Sequence, residues 1–309
     1  MQFRGIYCTN ENKGEYNMEN YVIFTDSSCD LSKEIVEKYD LQVMQLEVIV
    51  DDKEPVLNRE VESKAFYDSL RAGSNAKTSA VTPGFFEEHM RASLESGKDI
   101  LYIGFSAGLS VTYNNGVMIL EELQQEFPDR KILYVDTLSG SGGQALMVYH
   151  AAKMKENGAT MEEVKAEMES LNKYLHHQVT VEDLFFLKRG GRIDAKSAIV
   201  GTMLKIKPII NVDVNGKLNS VAKVRGRKGS ITELVNRMKA TIDPGRLPYV
   251  SVYHGDCPEE ADVLEAMVKE AYPQLEVLRG DVGPVIGAHT GPGVLVLCYA
   301  GKVVKGTME

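Results

Sequence analysis

Hydroxyl side chains in this sequence gather in loops that follow short apolar runs. Thr25-Asp26-Ser27-Ser28-Cys29-Asp30 follows Tyr21-Val22-Ile23-Phe24, and Ser106-Ala107-Gly108-Leu109-Ser110-Val111-Thr112 follows Ile103-Gly104-Phe105. Thr137-Leu138-Ser139-Gly140-Ser141-Gly142-Gly143 follows Val135-Asp136. A fourth segment, Thr78-Ser79-Ala80-Val81-Thr82-Pro83, closes an extended stretch, with Thr82 as helix cap and Pro83 in the first helical position. In open α/β sheets ligands bind beyond the carboxyl ends of the strands. Hydroxyls and unpaired helix N–H groups there donate to oxygen and favour negative charge, so the expected ligand is a small anionic group. Any one of these loops read alone is an ordinary helix cap.

Two sharper chemistries use the same residues. Gly104-Phe105-Ser106-Ala107-Gly108 fits the G-x-S-x-G nucleophile elbow, with Asp281 and His289 downstream in hydrolase order. A serine esterase using Ser106 and His289 is therefore the alternative reading, although no HGG-type oxyanion segment precedes the serine. Gly140-Ser141-Gly142-Gly143-Gln144-Ala145 fits G-x-G-x-x-A, but residues 146–175 read as helix where a dinucleotide fold needs a strand with an acidic end. No G-x-x-x-x-G-K-[ST] occurs, and the adjacent pair His176-His177, placed on a helix, points two ways and makes no metal site.

The elements that position these loops follow from periodicity. Strands are expected at 21–25, 43–50, 100–105 and 131–135, and helices at 31–39, 63–71, 83–95, 111–126, 142–156 and 160–175. This alternation predicts a largely parallel sheet flanked by helices. Past residue 175 the texture changes. Alternating segments flank Asn215-Gly216, a hairpin signal that requires φ > 0 at both turn residues. A helix near 229–241, a strand at 249–253, a helix at 259–271 and strands near 275–279 and 293–299 complete a second, mixed α/β domain. The expected division is a disordered leader at 1–17, an N-terminal α/β domain at 18–175 and a C-terminal mixed α/β domain at 176–309.

Composition narrows the partners. The 309 residues carry 35 cationic and 44 anionic side chains, a net charge of −9, which opposes general nucleic-acid binding. The four cysteines show no CxxC spacing, and no run approaches the roughly twenty apolar residues of a membrane span. Neither a targeting signal nor a disulfide framework is visible, so a cytoplasmic protein without metal or cofactor is expected.

Several segments in order then acquire a common meaning. Tyr21–Leu31, Thr78–Pro83, Ser106–Tyr113, Leu187–Ile193 with Leu204–Pro208 and Lys223–Gly226, and Gly283–Gly293 resemble the motifs of DegV family proteins, from about Met18 to the last strand. The resemblance implies a two-domain α/β protein that binds a long-chain fatty acid. It further implies a binding subunit of bacterial fatty-acid kinase, whose separate dihydroxyacetone-kinase-like subunit phosphorylates the bound acid for phospholipid synthesis. Carried over by motif, Thr78, Ser79, Ser106, Ser110 and His289 surround the carboxylate, with Arg192 in support. The chain departs from the family at Ala107, where a second serine is usual, and at Val111, where glycine is usual.

The physics is compatible with that resemblance. Charge-assisted bonds to a carboxylate are strong, and a nearby anion favours protonated His289. An acyl chain of about sixteen carbons gains roughly 12 kcal/mol gross on burial at ~0.8 kcal/mol per methylene. Its expected wall includes Phe185, Phe186, Ile199, Val200, Met203, Leu204 and Ile206. Lys223, Arg225, Arg227 and Lys228 form a basic cluster suited to docking an acidic partner. A carrier of some other amphipathic acid, with no kinase role, is the remaining binding-protein alternative.

Overall fold

The structure, a computed structural model, describes residues 20–193 and 206–306. The expected leader and four expected wall residues, Ile199, Val200, Met203 and Leu204, lie outside the described residues. The first half runs β1 (Tyr21–Asp26), α1 (Lys33–Lys38), β2 (Gln42–Met44), β3 (Glu47–Val50), β4 (Val56–Leu57), α2 (Ser63–Arg71), β5 (Ala76–Ser79), α3 (Pro83–Glu95), β6 (Asp99–Gly104), α4 (Thr112–Glu126), β7 (Ile132–Asp136), α5 (Gly142–Glu156) and α6 (Met161–Leu171). The rest runs β8 (Leu175–Thr180), α7 (Phe185–Arg189), β9 (Ile206–Val212), β10 (Leu218–Arg225), α8 (Arg227–Thr241), β11 (Tyr249–His254), α9 (Pro258–Ala271), β12 (Glu276–Asp281), α10 (Pro284–Thr290) and β13 (Leu295–Ala300).

The architecture is α/β, with a parallel sheet, a mixed sheet and a small antiparallel sheet. Strands β2-β1-β6-β7 are parallel, as the alternation with helices requires. Every residue of β1 is buried, the mark of a strand covered on both faces. The second sheet has the order β10-β9-β8-β13-β11-β12, antiparallel except for the β11–β12 pair. Helix α5 joins the two: Gly142 through Tyr149 are all buried, and its side chains share one apolar cluster with Ile23, Leu101 and Val135 on one side and Val179 and Val296 on the other. A helix apolar on every side belongs inside a core. Among the described residues no helix is long and apolar enough to cross a membrane.

Four local expectations change. The expected strand at 43–50 is two strands in different sheets, because Ser27 Oγ takes the Leu46 amide proton at 3.0 Å and the chain leaves the parallel sheet there; β3 then pairs with β4 and β5. The helix expected at 160–175 ends at Leu171, and His176 and His177 lie on β8, not on a helix. At the Asn215-Gly216 turn only Gly216 has positive φ, 71°. The Asp213 side chain accepts from the Asn215 and Lys217 amides, which makes a longer turn than a two-residue one. The segment around His289, without an expected element, is α10.

Candidate functional site

A cavity of about 500 Å³ lies between the carboxyl end of the parallel sheet and one face of the mixed sheet. That size is typical of small-molecule sites. Strand alternation builds its floor: His177 and Val179 on β8, Ile210 and Val212 on β9, Leu218 on β10 and Val296 on β13 point into it. The opposite wall comes from loops, with Phe105, Ala107, Leu109, Ser110 and Val111 after β6, and Gly140 and Ser141 after β7. Leu46, Thr78 and Ala80 close one side, and Val285, Ile286, His289 and Thr290 of α10 close another, beside Leu187 and Arg192. The lining is predominantly aliphatic, with few polar groups.

The polar groups converge at α10. His289 Nε2 lies 2.8 Å from Thr78 Oγ1, and Nδ1 is buried with no hydrogen-bond partner among the described residues. Gly190 packs so closely on that nitrogen that a Cβ would stand 2.3 Å from it, so only glycine fits. Burial, with the Arg192 and Arg189 cations adding to it, pushes His289 down to about 4. The ring is therefore neutral near neutrality, in a positive environment that favours an incoming anion. Arg192 is half-buried; its Nη1 donates to Gly190 O at 2.5 Å and its Nε to Leu109 O at 3.3 Å, which ties the segment after α7 to the Ser106–Thr112 loop.

The sequence-derived residues divide accordingly. Thr78, Ser110, Arg192 and His289 line the cavity together. Ser79 does not, because it alternates with Thr78 and Ala80 along the extended chain. Ser110 faces the cavity, but its Oγ also accepts the Thr112 amide at 3.2 Å at the start of α4. Ser106 is fully buried behind the wall, where its Oγ donates to Gly216 O at 2.8 Å across to the β9–β10 hairpin. Gly216 is needed there, since a Cβ would meet that Oγ at 2.0 Å.

These partners remove the hydrolase triad. Ser106 is committed to Gly216, His289 to Thr78, and Asp281 to His254 Nε2 at 3.1 Å on an exposed strand end. No nucleophile–base hydrogen bond links Ser106 with His289. Of the expected apolar wall, Phe185 is exposed, while Phe186 packs against Gly291 and the apolar cluster around Phe86, and neither Phe186 nor Ile206 lines the cavity; Leu187 does so instead. In the basic cluster Lys223, Arg225 and Lys228 are exposed. Arg227 is not, because it pairs with Glu260 at 2.7 Å and Glu182 at 3.4 Å.

Sequence reasoning missed His177. It lies against Gly143 at the start of α5, and neither ring nitrogen has a hydrogen-bond partner among the described residues. Burial, helped by Lys305 and His176, holds it well below the usual histidine range. The alternation His177-Gln178-Val179-Thr180 was the available signal, hidden by the helical pattern before it. His176 faces away and bonds Val303 O at 2.9 Å.

Comparisons with known proteins place the whole fold among relatives. A family model described as the DegV family matches residues 20–302. A DegV domain-containing protein of Clostridium perfringens is 38% identical over 286 residues, covering 92% of this chain and 98% of that one. A DegV lipid-binding protein of Thermotoga maritima superposes with a TM-score of 0.79 at 29% identity, over 93% of this chain and all of that one. A DegV family protein of Thermus thermophilus, whose structure concerns fatty-acid binding, superposes at 0.80 with 28% identity, over 91% of this chain and 99% of that one.

Proposed function

The chain belongs to the DegV family, and from that premise we propose that it carries a long-chain fatty acid and presents the carboxylate to a separate kinase subunit. The observation that carries this reading is one cavity, aliphatic over most of its wall, with the His289–Thr78 pair and Arg192 gathered on it. An acyl chain suits the aliphatic wall, and a carboxylate suits the polar group. Thr78 donates its hydroxyl proton to one carboxylate oxygen. His289 takes up a proton and donates from a ring nitrogen, since an anion beside it reverses the depression caused by burial. Arg192 lowers the cost of bringing a negative charge into the wall, held in place by the Leu109 and Gly190 carbonyls.

In this reading the bound carboxylate is itself the nucleophile, and its phosphorylation to an acyl-phosphate is carried out by a separate dihydroxyacetone-kinase-like partner that supplies the nucleotide. Lys223, Arg225 and Lys228 supply an exposed basic edge for an acidic partner surface. The test is calorimetric titration of the delipidated protein with hexadecanoate, followed by incubation with the kinase subunit and Mg-ATP. Saturable binding and acyl-phosphate formation only when both proteins are present are the expected results. Failure to bind hexadecanoate overturns the carrier role, and binding without phosphorylation overturns the kinase role.

A further inference from the structure

The first hydroxyl-rich loop, Asp26 to Asp30, contributes no residue to the cavity wall, yet it touches Leu46, the loops after β6 and β7 and the start of α10, which do. Asp30 is its last residue, in the left-handed region at φ 54°. Ser141 Oγ donates to Asp30 Oδ2 at 2.6 Å, and Ser141, itself on the cavity wall at φ 48°, donates its amide to Ser28 O at 2.7 Å. The other oxygen, Oδ1, is buried against Gly283, the residue from which α10 starts; a Cβ there would stand 2.5 Å from it. Asn58 braces the same junction, taking the Val285 amide on Oδ1 at 3.0 Å and donating from Nδ2 to Ser27 O at 3.2 Å.

We infer that Asp30 is the positioning residue of the carboxylate site: clamped between Ser141 and Gly283, it fixes the cavity wall to the start of α10, the helix that carries His289. This rests on the carrier function proposed above. His289 lies six residues beyond Gly283, roughly 9 Å along the helix at ~1.5 Å per residue, so a tilt at the Asp30 end displaces the imidazole from Thr78. Two strained non-glycine residues, Asp30 and Ser141, meeting through one hydrogen bond fit a junction selected for position.

The electrostatics give this role its own signature. Burial pushes the Asp30 carboxyl up to about 8, against the hydrogen bond from Ser141 and the Gly283 amide beside it, with Asp26 and Asp281 adding repulsion. Tyr67 of α2, Tyr253 of β11 and Cys29 are the other titratable groups around it, all pushed upward by burial. The clamp is thus a neutral acid near neutrality, and it gains a negative charge as pH rises through about 8. That charge opposes a bound carboxylate, so affinity falls on the alkaline side. Lys305 also titrates at about 8, so the difference between variants isolates Asp30.

The experiment measures hexadecanoate dissociation constants from about pH 6 to about pH 10 for the full chain, Asp30→Ala and Asp30→Asn. Asp30→Ala is expected to weaken binding roughly tenfold across the range. Asp30→Asn, which keeps an acceptor for Ser141 and cannot ionise, restores most of that affinity and abolishes the part of the alkaline fall due to Asp30. A full alkaline fall in Asp30→Asn, or wild-type affinity in a folded Asp30→Ala, overturns the assignment while leaving fatty-acid carriage intact. If Asp30→Ala does not fold, the pH profile of Asp30→Asn decides alone. Absence of hexadecanoate binding by the wild-type chain at every pH overturns both.

Discussion

Two buried polar clusters, each holding a hydroxyl side chain from one of the hydroxyl-rich loops, do opposite work. In the cluster around Asp26, Oδ2 accepts the Phe105 amide at 2.8 Å and the Tyr102 hydroxyl at 3.4 Å, and Oδ1 accepts the Ser28 amide at 3.2 Å. Ser28 Oγ also lies 3.0 Å from Gln144 Oε1, whose amide nitrogen donates to Thr25 Oγ1 at 3.2 Å. No side-chain atom of Asp26, Ser28 or Gln144 is left unpaired in that network, so it offers a ligand nothing. In the cluster around His289, one ring nitrogen has no partner among the described residues, and the group opens on a cavity. A saturated network fixes position, whereas an unsaturated one retains the capacity to bind.

That contrast breaks most visibly at Asp26. Asp26→Ala strips the acceptor from two amides and a phenol at once. At about 1–3 kcal/mol for each buried group left unpaired, about 3 kcal/mol or more of stability is lost, measured as a fall in the urea midpoint. Burial raises the Asp26 carboxyl above its ordinary value, which subtracts from this loss without reversing it.

His289→Ala is expected to do the reverse: little change in the urea midpoint and a roughly ten- to hundredfold loss of hexadecanoate affinity, the worth of one charge-assisted bond. The sign of its pH dependence follows from the depressed value near 4 in the free protein. A bound carboxylate raises it, so the complex takes up protons, and affinity declines as pH rises through the ring's value in the complex. Calorimetry in buffers of different ionisation enthalpy reads that uptake in the wild type and its absence in His289→Ala.

The smallest expected effect sharpens the comparison from the other side. Both ring nitrogens of His177 lack a partner among the described residues, but the ring lies in the cavity floor against the start of α5 rather than beside Arg192. His177→Phe keeps a ring of similar size and removes two unpaired nitrogens. Stability should rise by about 1 kcal/mol, seen as a higher melting temperature, and a fall would mean that the nitrogens do make compensating bonds.

The sequence made the two clusters look alike because composition and spacing carry no record of hydrogen-bond saturation. Thr25–Asp30, Thr78–Pro83 and Ser106–Thr112 all read as caps or anion loops, and only the fold shows Ser106 turned to Gly216 and Ser79 off the cavity wall. Long periodic elements were legible: α2, α3 and α5 have the bounds their apolar spacing predicts. Short elements fixed by tertiary contacts were not, as β5, β8 and α10 show. The floor of the cavity depends on β8, and its register cannot be read before the helix boundary at Leu171 is known. Thr78, Arg192 and His289 were found through resemblance of motif, since their sequence separations alone give no reason to bring them together.

Fatty-acid carriage is tested most directly by mass spectrometry of the purified protein, first native and then denatured with solvent extraction. The expected result is a native mass exceeding that of the chain by one long-chain fatty acid, recovered as the free acid only after denaturation. A native mass equal to the chain alone, in protein that also fails to take up added hexadecanoate, contradicts it.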